Sequence, residues 1–272
     1  MGTHLDYDQK LNIGIWSVKY LLENPNITWE DFKNQFLTSP CEKATTAATK
    51  AKEIVSNTQI NNKISSIQPN IATDQFEKGF NFGKNTSGNY AVSGTYTGTL
   101  TGLSMPSTET DFMVEGSFHT HPTYNAYECP SAADFYGLRT AYGSNPHFST
   151  TFVLTATGGI YNLTITDHVK FNNFLTTLPK NSSINPNDGH WKEGTDVRND
   201  FDKVEREFIK QGKTEDEAFA LAHAYVLRKH NIGMTISKRD SNGDFKPIFV
   251  KEAKDPANPN NTNYEQTQNC NL

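Results

Sequence analysis

Cysteine is nearly absent from this sequence. Three occur in 272 residues, Cys41, Cys129 and Cys270. An odd, sparse set gives no disulfide framework, and the lack of any Cys-x-x-Cys pair excludes a cysteine-rich zinc ribbon. A basic excess is missing too: 25 basic residues stand against 30 acidic ones, a net charge of -5. That balance argues against a dedicated nucleic-acid binder, which carries a basic stripe. No run approaches the ~20 apolar residues that a helix needs to cross a bilayer, so no membrane span is expected. Met1 to Lys10 is polar and no apolar stretch follows it, so no signal peptide is expected. Charged residues make up only 20%, below the roughly one quarter usual in soluble domains. Asn, Thr and Ser supply the polarity instead, which points to many turns and loops.

Aromatics are plentiful, with 17 Phe and 11 Tyr, and they can fill a core. Leu11, Ile15, Val18 and Leu22 fall at helical spacing within 9–23, with Trp16 beside them; Asn24-Pro25 ends that helix. Thr28, with Asp31 at the capping-box position, opens a short helix to Leu37. Residues 42–65 read as one long Ala/Lys/Thr-rich helix. Strands are expected at 75–83, 89–100 and 112–121, with a turn at 84–88 and a loop at 106–110. Ser131 to Tyr142 is helical, 148–156 and 160–166 form a hairpin around Gly158-Gly159, and a helix follows over 167–178. Residues 179–194, rich in Asn, Pro, Ser and Gly, read as a linker.

Two charged helices come next, at 195–211 and 214–230, the second with a Thr214/Glu217 capping box. Asp200 to Lys213 alternates in sign, as a solvated helix face does. Strands 232–239 and 244–251 flank the turn from Asp240 to Asp244. The expected class is α/β: a mixed, largely antiparallel curved sheet flanked by helices. The expected organisation is an N-terminal helical segment (1–41), a core (42–180), a linker (181–194), a helix pair plus hairpin (195–252) and a poorly ordered polar tail (253–272).

The informative stretch is Gly116-Ser117-Phe118-His119-Thr120-His121-Pro122, followed after Pro130 by Ser131-Ala132-Ala133-Asp134. On a strand, residues two apart share a face about 7 Å apart, so His119 and His121 can converge on one ion. Ser131 and Asp134 are three apart at a helix start and share one side of its first turn. Two His and a carboxylate form a catalytic zinc set with a position left for water. Zinc lowers the pKa of that water toward ~7, and a carboxylate base completes the chemistry. Glu115 lies on the His119 face of the same strand but about 13 Å away, too far for a shared water. Glu128 sits in the loop beside Cys129. Glu77 opens the first expected strand, and a neighbouring strand can deliver it to the metal; it is the chosen base.

The run His119-Thr120-His121-Pro122, then Ser131-x-x-Asp134, with an upstream strand Glu, resembles the JAMM/MPN+ metalloprotease motif over about residues 45–178. The order of elements fits as well: a helix, a Glu-bearing strand, His-x-His at a strand end, Ser-x-x-Asp opening a helix. The resemblance implies an MPN/cytidine-deaminase-like sheet holding one zinc ion on His119, His121 and Asp134. Glu77 would be the general acid/base, and Ser131 would stabilise the oxyanion, a contribution worth ~3 kcal/mol. It implies hydrolysis of a peptide or isopeptide bond, with a ubiquitin-like conjugate among the candidate protein substrates. More narrowly, the chain resembles bacterial JAB-like domains at the ends of polymorphic toxins and exported proteins. That likeness implies a secreted or delivered effector with a cognate immunity protein as partner; otherwise the expectation is a soluble, cytoplasmic protein.

Blander readings exist for each residue. His-x-His alone is weak, Ser131 with Asp134 is also a plain capping box, and Glu77 can be a solvent-facing strand residue. Cys129 reads as a small semi-buried residue, or as a thiolate that reaches the zinc. The competing class for the whole chain is a catalytically inactive MPN-like protein-binding module.

Overall fold

The computed structural model describes residues 7–23, 25, 29–33, 37–99, 102–123, 128–254 and 262–267. Contacts divide the chain into two units, residues 1–43 and 44–272. In the first, α1 (Tyr7–Glu23) and the single turn α2 (Trp29–Phe32) are joined by aromatic packing. The Trp16 and Tyr20 rings lie 5.1 and 5.5 Å from Phe32, and Trp29 stacks on Phe32 at 5.5 Å. The aliphatic stripe of the expected helix is exposed, with Leu11, Ile15, Val18 and Leu22 all at least half accessible. Aromatic area won the contact with α2. The expected Thr28 cap lies outside the described residues.

The larger unit holds the candidate site. Its first helix, expected as one, is two: α3 (Pro40–Ser56), which begins in the first unit, and α4 (Thr58–Ile67). Asn57 makes the break. Its backbone is extended and its Oδ1 accepts from Gln59 N and Ile60 N, so it caps a new helix instead of extending the old one. The strands follow: β1 (Lys78–Lys84), β2 (Tyr90–Val92), β3 (Tyr96–Thr97), β4 (Met113–His121), then α5 (Ala132–Ser144), β5 (Thr150–Thr155) and β6 (Ile160–Ile165). After them come α6 (His168–Thr177), α7 (Lys180–Ser183), α8 (Asp196–Lys210), α9 (Glu215–Lys229), β7 (Met234–Arg239), β8 (Phe245–Pro247), β9 (Phe249–Lys254) and β10 (Thr262–Thr267).

One sheet runs in the order β2-β1-β4-β5-β6-β7-β8, with β3 also on β1. Only β4–β5 is parallel among these pairs, and α5 provides the crossover between them. The sheet is therefore mixed and mostly antiparallel, flanked by helices, as the α/β class expected. One face packs Phe80, Phe82, Phe118, Phe152 and Leu154 against α3 and α4. Phe118 stacks on Phe152 at 4.3 Å and on Phe80 at 4.8 Å. The other face sends Val153, Tyr161 and Leu163 into a core shared with α5, α6, α8 and α9. Four buried residues of α8 (Val197, Phe201, Val204, Phe208) recur at helical spacing and make its packed stripe.

Several expectations are corrected. The 89–100 strand is two short strands, β2 and β3, interrupted at Ser93-Gly94. The 179–194 stretch is no loose linker. It contains α7, a bridge between Ile184 and Trp191, and a Trp191 side chain only 2% exposed. Residues beyond it are continuous with the core, because β7 extends the main sheet through β6. The 244–251 strand divides: β8 pairs with β7, whereas β9 pairs with β10 in a separate two-stranded sheet. Within 253–272 the described β10 is packed, with Tyr264 buried against Tyr225 of α9.

Candidate metal centre

His119 and His121 close β4, and alternation along the strand turns both toward the face that α5 covers. Both are nearly inaccessible, at 7% and 4%. Asp134 stands in the first turn of α5, whose N-cap is Ser131. The expected capping box is present. Asp134 Oδ2 accepts from Ser131 N at 2.6 Å and from Ser131 Oγ at 2.9 Å, and Asp134 N donates to Ser131 Oγ at 3.4 Å.

The cap uses one carboxylate oxygen, Oδ2, which also faces His121, and leaves Oδ1 turned to His119. Asp134 Oδ1 lies 3.1 Å from His119 Nε2, and Oδ2 lies 3.6 Å from His121 Nε2. One candidate ligand atom from each residue falls within 4.8 Å of the other two. Tetrahedral zinc with bonds near 2.0–2.1 Å places its ligand atoms about 3.3 Å apart. His119 Nε2 is buried and, despite its closeness to Asp134, has no aligned hydrogen bond. A buried ring nitrogen without such a bond is costly unless something else binds it. The donor set, its burial and this orphaned nitrogen fit a zinc ion.

Electrostatics tie the three residues together. Burial opposes charge on Asp134, but His119, His121 and the Ser131 hydrogen bond outweigh it and hold the carboxyl well below its usual range. Burial likewise opposes charge on His119, while Asp134 and then Glu77 raise its pKa above the ordinary value.

Glu77 precedes β1 directly and is half-buried. Its charge acts on His119, and the register pairs Gly79 with His119, so the structure brings this end of β1 to the centre. Glu115 is elsewhere. The β1–β4 register jumps from Phe82↔Gly116 to Gly83↔Val114, leaving Glu115 as the extra residue of a bulge. It faces the opposite side, beside Lys50 and Ala51 of α3. Glu128 is occupied: its carboxylate accepts from Thr157 N at 3.1 Å and from the Thr157 hydroxyl.

Cys129 is 1% exposed. Burial, then Asp216 and Asp134, push its thiol well above the ordinary value, so it stays protonated. The clustered ligand atoms do not include its sulfur. Sequence reasoning overlooked Gly189, whose carbonyl accepts from Ala133 N at 3.0 Å. The former linker thereby braces the first turn of the helix that carries Asp134. Its one sequence signal is a glycine that adopts φ +72.

No family model, curated protein or solved structure matches the chain.

Proposed function

We propose that this protein is a zinc-dependent hydrolase of peptide or isopeptide bonds, of the JAMM/MPN+ kind. The observation that carries the reading is the buried His119–His121–Asp134 cluster, delivered by a strand end and a helix start to within 4.8 Å. Zinc held there would polarise a scissile carbonyl and make a water acidic enough to attack near neutral pH. Glu77, at the start of β1, accepts the proton of the attacking water and returns it to the leaving amine. Ser131 would steady the oxyanion by turning its hydroxyl from Asp134 Oδ2, while its backbone N–H keeps that carboxylate in place. The substrate class is a polypeptide, free or conjugated through a side-chain amine.

A second reading, a non-catalytic binding module, draws on one observation. The Ser131 hydroxyl already donates to Asp134, which leaves no preset oxyanion donor. Incubating wild type and Glu77→Gln with a mixed peptide library and a ubiquitin–lysine isopeptide probe separates the two. Cleavage by wild type, lost in Glu77→Gln with zinc retained, supports the hydrolase. No cleavage of either probe by zinc-loaded wild type favours the module.

A further inference from the structure

The peptide unit between Glu77 and Lys78 is gripped from both sides. Its carbonyl, Glu77 O, accepts from Gly98 N at 2.8 Å, on the β3 side. Its amide, Lys78 N, donates to Thr120 Oγ1 at 2.9 Å, on the β4 side. Thr120 is the residue between the two histidines, and it is fully buried. The β1–β4 register pairs end at Gly79 and His119. One step beyond them, Thr120 reaches β1 with its side chain. The Lys78 ammonium adds a third hold, 2.6 Å from Asp74 Oδ1.

We propose that Thr120 is a positioning residue for Glu77, acting through the Glu77–Lys78 peptide. This inference rests on the hydrolase reading above. Fixing that peptide plane fixes the Cα–C bond of Glu77, the anchor from which its side chain leaves the backbone. Strand alternation turns the Thr120 side chain away from the metal face while its neighbours bind there. One strand end therefore places both the ligands and the base. The plain alternative is a buried hydroxyl that merely finds a partner.

Thr120→Val keeps the shape and removes the acceptor; Thr120→Ser keeps the acceptor. Both are compared with wild type as full chains, by zinc content, by amide hydrogen exchange, and by turnover of a peptide from the library that wild type cleaves. The expected result is zinc retained in both variants. In Thr120→Val, exchange at Lys78 and Gly98 rises about tenfold and kcat falls with little change in KM; Thr120→Ser restores both. Unchanged Gly98 exchange or unchanged kcat in Thr120→Val overturns the proposal, as does failure of Thr120→Ser to restore them. Full activity in Glu77→Gln would instead remove the base assignment, a failure of the underlying reading that leaves the exchange result standing. A wild type that cleaves nothing overturns the hydrolase and Thr120's catalytic role together.

Discussion

Asp134 Oδ1 and His119 Nε2 lie 3.1 Å apart across the gap between β4 and α5, while the other Asp134 oxygen accepts the cap bonds of Ser131. One carboxylate thus serves a helix start and the candidate metal site. The two duties are separable. Asp134→Asn keeps an oxygen for Ser131 but loses the charge; Asp134→Ala loses both. Zinc affinity should collapse in each variant. Metal-free stability in urea should fall by about 1 kcal/mol more in Asp134→Ala than in Asp134→Asn, the usual worth of a cap.

Trp191 should behave as a core residue. Its ring packs near Phe135 and Tyr136 of α5, the helix that carries Asp134. Trp191→Ala should cost about 3–5 kcal/mol in urea unfolding. A cost near zero would return 179–194 to the status of a linker.

His223 is fully buried among Phe135, Phe201 and Phe219. The charged or titratable groups acting on it are His190, Asp134 and Arg198. Burial, helped by His190, pushes its pKa down to about 3. The folded value lies below the unfolded one. Its stabilising contribution is therefore complete above pH ~6.5 and is lost progressively as pH falls toward 3. In His223→Leu this component is absent. The drop in unfolding free energy between pH 7 and pH 5 should be smaller than in wild type by about 2 kcal/mol, measured by urea titration at each pH.

Gly79 pairs with His119, and a Cβ there would stand 2.6 Å from Phe118 O and 2.7 Å from Leu103 and Met105. Backbone cannot yield cheaply. Gly79→Ala should lower stability by about 1–3 kcal/mol and weaken zinc binding, because β1 must shift from the strand that holds the histidines. A chelator competition assay reads the second effect.

The His119–His121–Asp134 cluster was legible because each member follows a local rule. Two histidines two apart on a strand share a face, and Ser131 with Asp134 is a helix start in any context. Thr214 announced its helix by the same capping chemistry. What escaped was set by distant partners. Composition made 179–194 a linker, but Ile184 and Trp191 bind it to the core. Period-two counting put Glu115 on the face of His119, and a bulge reversed it. The 244–251 strand looked continuous, yet its halves join different sheets because β10, within the stretch read as a polar tail, claims β9. None of these has a signature within a short window of sequence.

The most direct test is the zinc content of protein purified without chelator, wild type beside His121→Ala. About one zinc per chain, tetrahedral sites being filled by single ions, and its loss in the variant, is the result the site requires. Wild-type protein that carries no metal and takes none up from added zinc would contradict the metal centre and the hydrolase built on it.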